Sequence, residues 1–276
     1  LRHGDCAPVR RVALDTDLPR GVPAPERVEG DPERARRLCG RVTLLRQCLC
    51  TIQSPTVTDR LRELWDFDDL EATEERLRAQ LELEQTDEGR AEVLTQLARV
   101  EGLRGAFEAG ERLVVEAATI GGGSTFVGAR VDLERGRLRR SAGDRDAALP
   151  LFESAFDRAL DAGAWFIAAD AAHMAALAAP DREGIVAWTL VGIDLAEQHE
   201  DAAYWLGPLL NNLGWEYDEA GEYELALDAF VRALVARERD PSNRAAIEIA
   251  RYAVGKTLRA LGRAEEAVPL LEQAVA

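Results

Sequence analysis

The sequence lacks any long apolar run. Its uncharged apolar stretches, such as residues 184–193, reach only about half of the ~18 residues that cross a bilayer. The amino terminus also lacks the apolar core of a signal peptide, since Arg10, Arg11, Asp15 and Asp17 interrupt it. These absences predict a protein without a membrane span and, by default, a cytoplasmic location.

Basic charge is scarce, and lysine is almost absent. The chain of 276 residues holds 34 basic against 50 acidic residues, a net charge of −16, and Lys256 is its single lysine. This balance disfavours attraction to nucleic acid or to an anionic membrane surface, so we expect neither as a partner. The preference for arginine resembles the codon bias of GC-rich bacterial genomes, such as those of actinobacteria.

Cysteine is absent from most of the chain. Residues 1–57 hold all 4 cysteines, 6 of the 11 prolines, and 10 arginines against 7 acidic residues. This change in composition indicates a boundary, and we interpret residues 1–57 as a disordered or spurious leader. A basic amphipathic anchor at residues 31–51 is the alternative. Cys48 and Cys50 stand closer together than the cysteines of zinc or redox motifs, and we expect neither a metal nor a cofactor.

Histidine is also rare, which limits the possible catalytic sites. Three histidines do not assemble a zinc site or a catalytic triad. The residues from Gly255 to Thr257 resemble the end of a phosphate-binding loop, but Ala250 stands where that loop needs a glycine. The glycines at residues 121–123 are interpreted as a linker between helices. We therefore expect that the chain is not an enzyme.

A repeating helical pattern covers most of the chain. From residue 69 onward Ala, Leu, Glu and Arg dominate, and apolar residues recur at spacings of three and four. Five anchor positions share a small residue seven positions earlier and a large apolar residue nine positions later. The anchors are Gly105, Gly143, Ala179, Gly221 and Gly262. The pattern predicts five stacked helical hairpins, each turning at its anchor.

One copy of the pattern carries the residues of a known family. They are Leu213, Gly214, Tyr217, Gly221, Tyr223, Ala226, Phe230 and Ala233. At these spacings the copy resembles the tetratricopeptide repeat. The resemblance implies an all-α fold, a right-handed superhelical solenoid of antiparallel helix pairs. It implies N-terminal capping helices at residues 58–90 and about five hairpins at residues 91–276, the last one ending without a capping helix.

In that family, the first helix of each hairpin lines a concave groove that binds peptides or proteins. The lining positions fall thirteen, ten, six and three residues before each anchor. We expect a partner to bind Arg99, Arg130, Arg137, Arg140, Phe166, His173, Asn211, Trp215, Asp218, Tyr252, Lys256 and Arg259. The basic ends and aromatic middle of this set favour a peptide with acidic flanks and an apolar centre.

Two functions remain open at this point. The resemblance implies a non-catalytic protein-interaction scaffold that binds a peptide or partner protein in the concave groove. The alternative is the sensory or regulatory arm of a bacterial transcription or signalling protein. Val268 and Leu271 in the last hairpin lack a following repeat to cover them, so we expect either that the sequence is a fragment of a longer array or that it forms a homodimer through the C-terminal hairpin.

Overall fold

The structure is a computed structural model that describes residues 59–274. The leader predicted at residues 1–57 and the last two residues lie outside this range. The described part contains eleven α-helices, two short 3-10 helices (Arg62–Leu64 and Glu200–Trp205) and no β-strand, which confirms the all-α prediction. The α-helices are α1 (Leu70–Leu83), α2 (Asp87–Leu103), α3 (Phe107–Ile120), α4 (Thr125–Ser141), α5 (Arg145–Asp161), α6 (Trp165–Ala178), α7 (Arg182–Gln198), α8 (Leu206–Glu219), α9 (Tyr223–Arg237), α10 (Arg244–Ala260) and α11 (Ala264–Gln273).

Polar side chains set the start of many of these helices. The hydroxyl of Thr86 accepts a hydrogen bond from the amide of Gly89 at the start of α2. A side chain caps five further helices in the same way: Asp69, Ser124, Asp144, Asp181 and Asn243. Each such cap stabilises its helix by about 0.5–2 kcal/mol. No helix within residues 59–274 is both long and apolar enough to cross a membrane.

Consecutive helices from α2 to α11 form five hairpins. Four of them turn at the predicted anchor glycines, whose φ angles lie between 74° and 91°, a region that favours glycine. The third anchor differs: Ala179 is extended, with φ −60° and ψ 141°. That hairpin turns through Pro180 and restarts at the Asp181 cap. The first hairpin starts at Asp87 rather than at residue 91, and α1 precedes it.

Within the hairpins, large side chains pack against the small residues that the pattern aligned with them. A Cβ atom added to Gly136 on α4 would lie 2.5 Å from the ring of Phe152 on α5. A Cβ on Gly214 of α8 would lie equally close, 2.5 Å, to the ring of Phe230 on α9. The two phenylalanines are fully buried. The missing side chains of the glycines therefore make the room that the rings fill.

The apolar core is most continuous around the third hairpin. Every residue of α6 is buried except His173 and Leu177, which are partly exposed. The helix belongs to one large apolar cluster that extends from Phe126 on α4 to Ala233 on α9. The position of His173 on the less buried side of α6 places it where the neighbouring hairpins present polar groups.

Candidate peptide-binding groove

The first helices of the hairpins, α2, α4, α6, α8 and α10, carry the predicted lining positions; their inner faces are called the groove below. Polar pairs connect consecutive members of this row. The pairs are Arg137 with Asp170 between α4 and α6, His173 with Asn212 between α6 and α8, and Asp218 with Lys256 between α8 and α10. The pairs include four of the predicted residues, one each from α4, α6, α8 and α10.

Arg137 lies between two carboxylates in the middle of the groove. Its guanidinium donates to Glu134 on its own helix and to Asp170 on α6, and both carboxylates are nearly inaccessible to solvent. Burial alone would lower the pKa of Arg137, but the two carboxylates outweigh this and raise it above its ordinary value. The arginine is therefore a fixed charge that ties α4 to α6.

His173 is held neutral beside this pair. The Nδ2 of Asn212 donates to the Nε2 of His173 at 3.1 Å. Burial lowers the pKa of His173 to about 4; Asp170 opposes the change, while Arg137, Arg140 and Arg99 add to it. Its Nδ1 atom is buried without a hydrogen-bond partner among residues 59–274, as is the Oδ1 atom of Asp218.

Three predicted arginines, Arg99, Arg140 and Arg259, have no carboxylate partner in the described part of the chain. Arg99 stacks instead on Trp65, with its Cζ 5.0 Å from the ring centroid. Burial lowers the pKa of Arg99, and the nearby Arg137 lowers it further. Arg140 donates to the backbone carbonyl of Leu177 at 3.4 Å. Arg99 therefore has no ion-pair partner of its own, although Glu134, Asp170 and Asp59 lie near enough to favour its charged form.

The carboxyl-terminal end of the groove is more open. Trp215 packs edge-on against Phe230, with ring centroids 5.0 Å apart. The Nζ of Lys256 lies 4.7 Å from the Trp215 ring and 2.5 Å from the Asp218 carboxylate. Tyr252 is 50% exposed and Arg259 is also exposed. Asn211 is partly buried, but its neighbour Asn212 makes the contact across the groove.

The amino-terminal end is covered by the chain itself. Residues 59–67, called the inner segment below, precede α1 and contact the predicted lining positions. Asp59 pairs with Arg130, which is 1% exposed. The Arg62 guanidinium lies 5.4 Å from the ring centroid of Phe166. Three of the predicted residues, Arg99, Arg130 and Phe166, therefore contact the inner segment.

The sequence pattern missed one polar column and the inner segment. Nine residues before the anchors stand Gln96, Glu134, Asp170 and Asn212, and each makes one of the polar contacts inside the groove. Their signal was available, because polar residues recur at one register of otherwise apolar helices. Within residues 59–274 no group of three or more His, Cys, Asp or Glu side chains could hold a metal ion.

Known proteins resemble this chain in one repeat and in its fold. The tetratricopeptide repeat family matches residues 209–245, which cover most of α8, all of α9 and the start of α10. No curated protein sequence matches the chain. The crystal structure of BtubC (BKLC) from P. vanneervenii is similar with a TM-score of 0.62 and 17% identity, over 74% of this chain and 89% of that chain.

Two further solved structures are similar at lower scores. The MamA protein has a TM-score of 0.47 and 14% identity, over 67% of this chain and 90% of its own. TPR-like repeats assigned to a kinesin light chain of Podosopora anserina have a TM-score of 0.48 and 15% identity, over 69% and 95%. The chain therefore contains a tetratricopeptide repeat at residues 209–245, and its fold of stacked helical hairpins is similar to that of BtubC.

Proposed function

We propose that the chain is a non-catalytic scaffold that binds a peptide or partner protein in the groove. The observation that carries this proposal is the open carboxyl-terminal end. On one face of α10, Ile249 is 57% exposed and Tyr252 is 50% exposed, one helical turn apart. Exposed aromatic and aliphatic side chains in a concave surface are typical anchors of protein interfaces.

The chemistry of the partner follows from the groups around these anchors. Arg259 is exposed on α10, and Lys256 stands beside Trp215, so acidic side chains of a partner find positive charge there. These groups favour a peptide with apolar anchors and acidic flanking residues.

A non-catalytic role agrees with how the charged groups are used. Ion pairs join neighbouring helices, Arg137 with Asp170 and Lys256 with Asp218. These pairs fix the helices in place. Repeat proteins of this kind use their concave surface for binding. A regulatory arm is a second candidate function, favoured by the inner segment, because that segment covers part of the groove from within the chain.

The test is a selection of binding peptides on the full chain. Peptides are selected from a random library, and their affinities for variants are measured by fluorescence anisotropy. We expect Tyr252→Ala and Ile249→Ala each to weaken binding by about tenfold, as anchor residues do when truncated. Both side chains are half-exposed, so their removal leaves the fold intact.

The matched controls are Leu225→Ala and Val235→Ala. These residues are 45% and 55% exposed on α9, the second helix of its hairpin, away from the lining positions. They should leave the affinity of the selected peptides unchanged. Selected peptides that bind the two α10 variants as tightly as the unaltered chain would refute the proposed groove.

A further inference from the structure

The inner segment uses side chains to contact the groove. Asp59 pairs with the buried Arg130 of α4. The neighbouring Arg60 donates to Glu84 at 2.6 Å and to Glu92 of α2 at 3.2 Å. Adjacent residues of opposite charge therefore meet opposite charges on two different hairpins. Such a pattern fixes the register and direction of a bound peptide.

Apolar and aromatic side chains of the segment fill the space beside these ion pairs. Leu61 is 1% exposed and belongs to the apolar cluster of the first two hairpins. The indole nitrogen of Trp65 donates to the Oε1 of Gln96 at 2.9 Å, and Arg99 stacks over the Trp65 ring. The contacts combine a buried anchor, an aromatic anchor and charge pairs, which is how grooves recognise peptides.

The segment resembles a bound ligand more than a part of the core. Leu61 is its only fully buried residue, whereas Phe67 is 59% exposed. Its backbone is held to the following helix, since Asp66 exchanges two 2.9 Å hydrogen bonds with the hydroxyl of Thr73. The segment is therefore anchored at its carboxyl-terminal end and contacts the groove through the residues before that anchor.

We propose that the inner faces of α2 and α4 form a peptide-binding site, that the inner segment is its resident ligand, and that a partner carrying the same chemistry displaces it. This proposal rests on the proposed function and names its partner class. The partner peptide presents an acidic residue to Arg130, a basic residue to Glu92, a leucine to the apolar cluster and a tryptophan to Gln96 and Arg99.

Covalent attachment makes the segment a strong competitor. A ligand on a short tether acts at a roughly millimolar effective concentration. A partner with the same contacts binds only weakly while the segment is in place, and more tightly once the segment is weakened. The resident segment thus raises the affinity that a partner must have, and it excludes peptides that match only part of the pattern.

The experiment adds the segment back as a separate molecule. A fluorescein-labelled peptide with the sequence of residues 57–68 is titrated into the full chain and into an unlatched variant, Asp59→Ala with Trp65→Ala. Anisotropy should show at least about tenfold tighter binding to the unlatched variant, because its resident ligand no longer competes. The matched control, Glu63→Ala with Asp68→Ala, alters two exposed residues nearby and should behave like the unaltered chain.

A charge exchange tests the register. Arg130→Glu in the unlatched variant should abolish binding of the peptide, and a peptide carrying Asp59→Lys should restore it. Equal binding to the unlatched and unaltered chains, no saturable binding to either, or insensitivity to Arg130→Glu would overturn the proposal. If Tyr252→Ala and Ile249→Ala still lower the affinity for the selected peptides in that case, the proposed function stands while this inference fails.

If circular dichroism shows that the unlatched variant does not fold, the proposal is tested on the unaltered chain instead. Millimolar unlabelled peptide should then increase amide hydrogen exchange at residues 59–67 without increasing exchange in α6. Unchanged exchange at residues 59–67 would overturn the proposal, because an excess of free peptide with the same sequence must displace a resident ligand.

Discussion

The imidazole of His173 lies among charged side chains from three helices. Asp170 is on its own helix, Arg137 and Arg140 belong to α4, and Arg99 belongs to α2. Three positive charges and burial disfavour protonation more than one carboxylate favours it. The ring is therefore neutral at physiological pH, and its Nε2 is free to accept the hydrogen bond from Asn212.

This environment predicts a loss of stability in mild acid. The unfolded chain protonates His173 near its ordinary pKa of 6.5, whereas the folded chain does so only at a pKa of about 4. Between these values the unfolded state binds more protons, so the free energy of unfolding falls as the pH decreases through this window. The full difference corresponds to about 3 kcal/mol.

The measurement compares urea unfolding of the unaltered chain and of His173→Gln at neutral pH and near pH 4. Glutamine can accept from Asn212 but cannot become charged, so the variant should lose about 3 kcal/mol less over this range. Carboxylates that titrate in the same range are common to both proteins and cancel in the comparison. An identical pH dependence of the two proteins would contradict the lowered pKa.

At the scale of the helices, close approach within a hairpin depends on a missing side chain. Gly214 of α8 and Gly136 of α4 accept the rings of Phe230 and Phe152 at distances that a Cβ would forbid. Gly128 of α4 is a helix glycine of another kind. A Cβ there would meet the guanidinium of Arg158, the end of a side chain that is 50% exposed.

The two kinds of glycine predict opposite effects of alanine. Gly214→Ala should lower the free energy of unfolding by about 1–3 kcal/mol, because the buried ring of Phe230 has no room to move. Gly128→Ala should be neutral or stabilising by up to about 1 kcal/mol, because Arg158 can move aside and alanine favours the helix. Urea unfolding of both variants tests this. Equal effects would show that the rings do not limit the approach of the helices.

The hairpins were predictable from sequence because their determinants are local. A small residue, a turn glycine and a large residue recur at fixed spacings, so Gly214, Gly221 and Phe230 define a hairpin without any knowledge of the rest. The third turn was not predictable in its form, since Ala179 is extended and the chain turns through the next residues. The fold could therefore be predicted from repetition, and the exception lies where the repetition weakens.

The groove was only partly predictable, because its contacts are not local. Spacing placed Arg137 and His173 on the inner face, but their partners Asp170 and Asn212 belong to the next hairpin in each case. The inner segment has no repeat pattern, and Asp59 meets Arg130 across 71 residues of sequence. Periodicity predicts the face that a residue occupies, whereas the charge that it meets depends on the packing of separate hairpins.

At the scale of the whole molecule, the first helices form a row joined by polar pairs. Direct pairs connect α4 to α6, α6 to α8 and α8 to α10. Between α2 and α4 the described residues contain no direct ion pair; there the inner segment makes the connection, with Arg60 on Glu92 and Asp59 on Arg130. The inner segment therefore connects α2 to α4, whereas direct polar pairs connect the later helices of the row.

The joint between the second and third hairpins shows how these pairs affect the whole solenoid. Arg137→Met would leave the carboxylates of Glu134 and Asp170 buried without their partner. Loss of one member of a buried ion pair typically costs about 3–5 kcal/mol. Because the stability of a solenoid is a sum of hairpin and interface contributions, a weakened joint allows the two halves to unfold separately. The urea transition of Arg137→Met should therefore shift to lower denaturant and become broader.

The triple variant Glu134→Leu, Arg137→Met and Asp170→Val separates charge from packing at this joint. It removes the unpaired carboxylates together with the arginine, so it should recover most of the stability and the steep transition, as apolar replacements of buried ion networks often do. A midpoint and slope for Arg137→Met equal to those of the unaltered chain would refute the importance of this joint. A triple variant less stable than Arg137→Met would instead show that the carboxylates left without Arg137 do not cause the loss of stability.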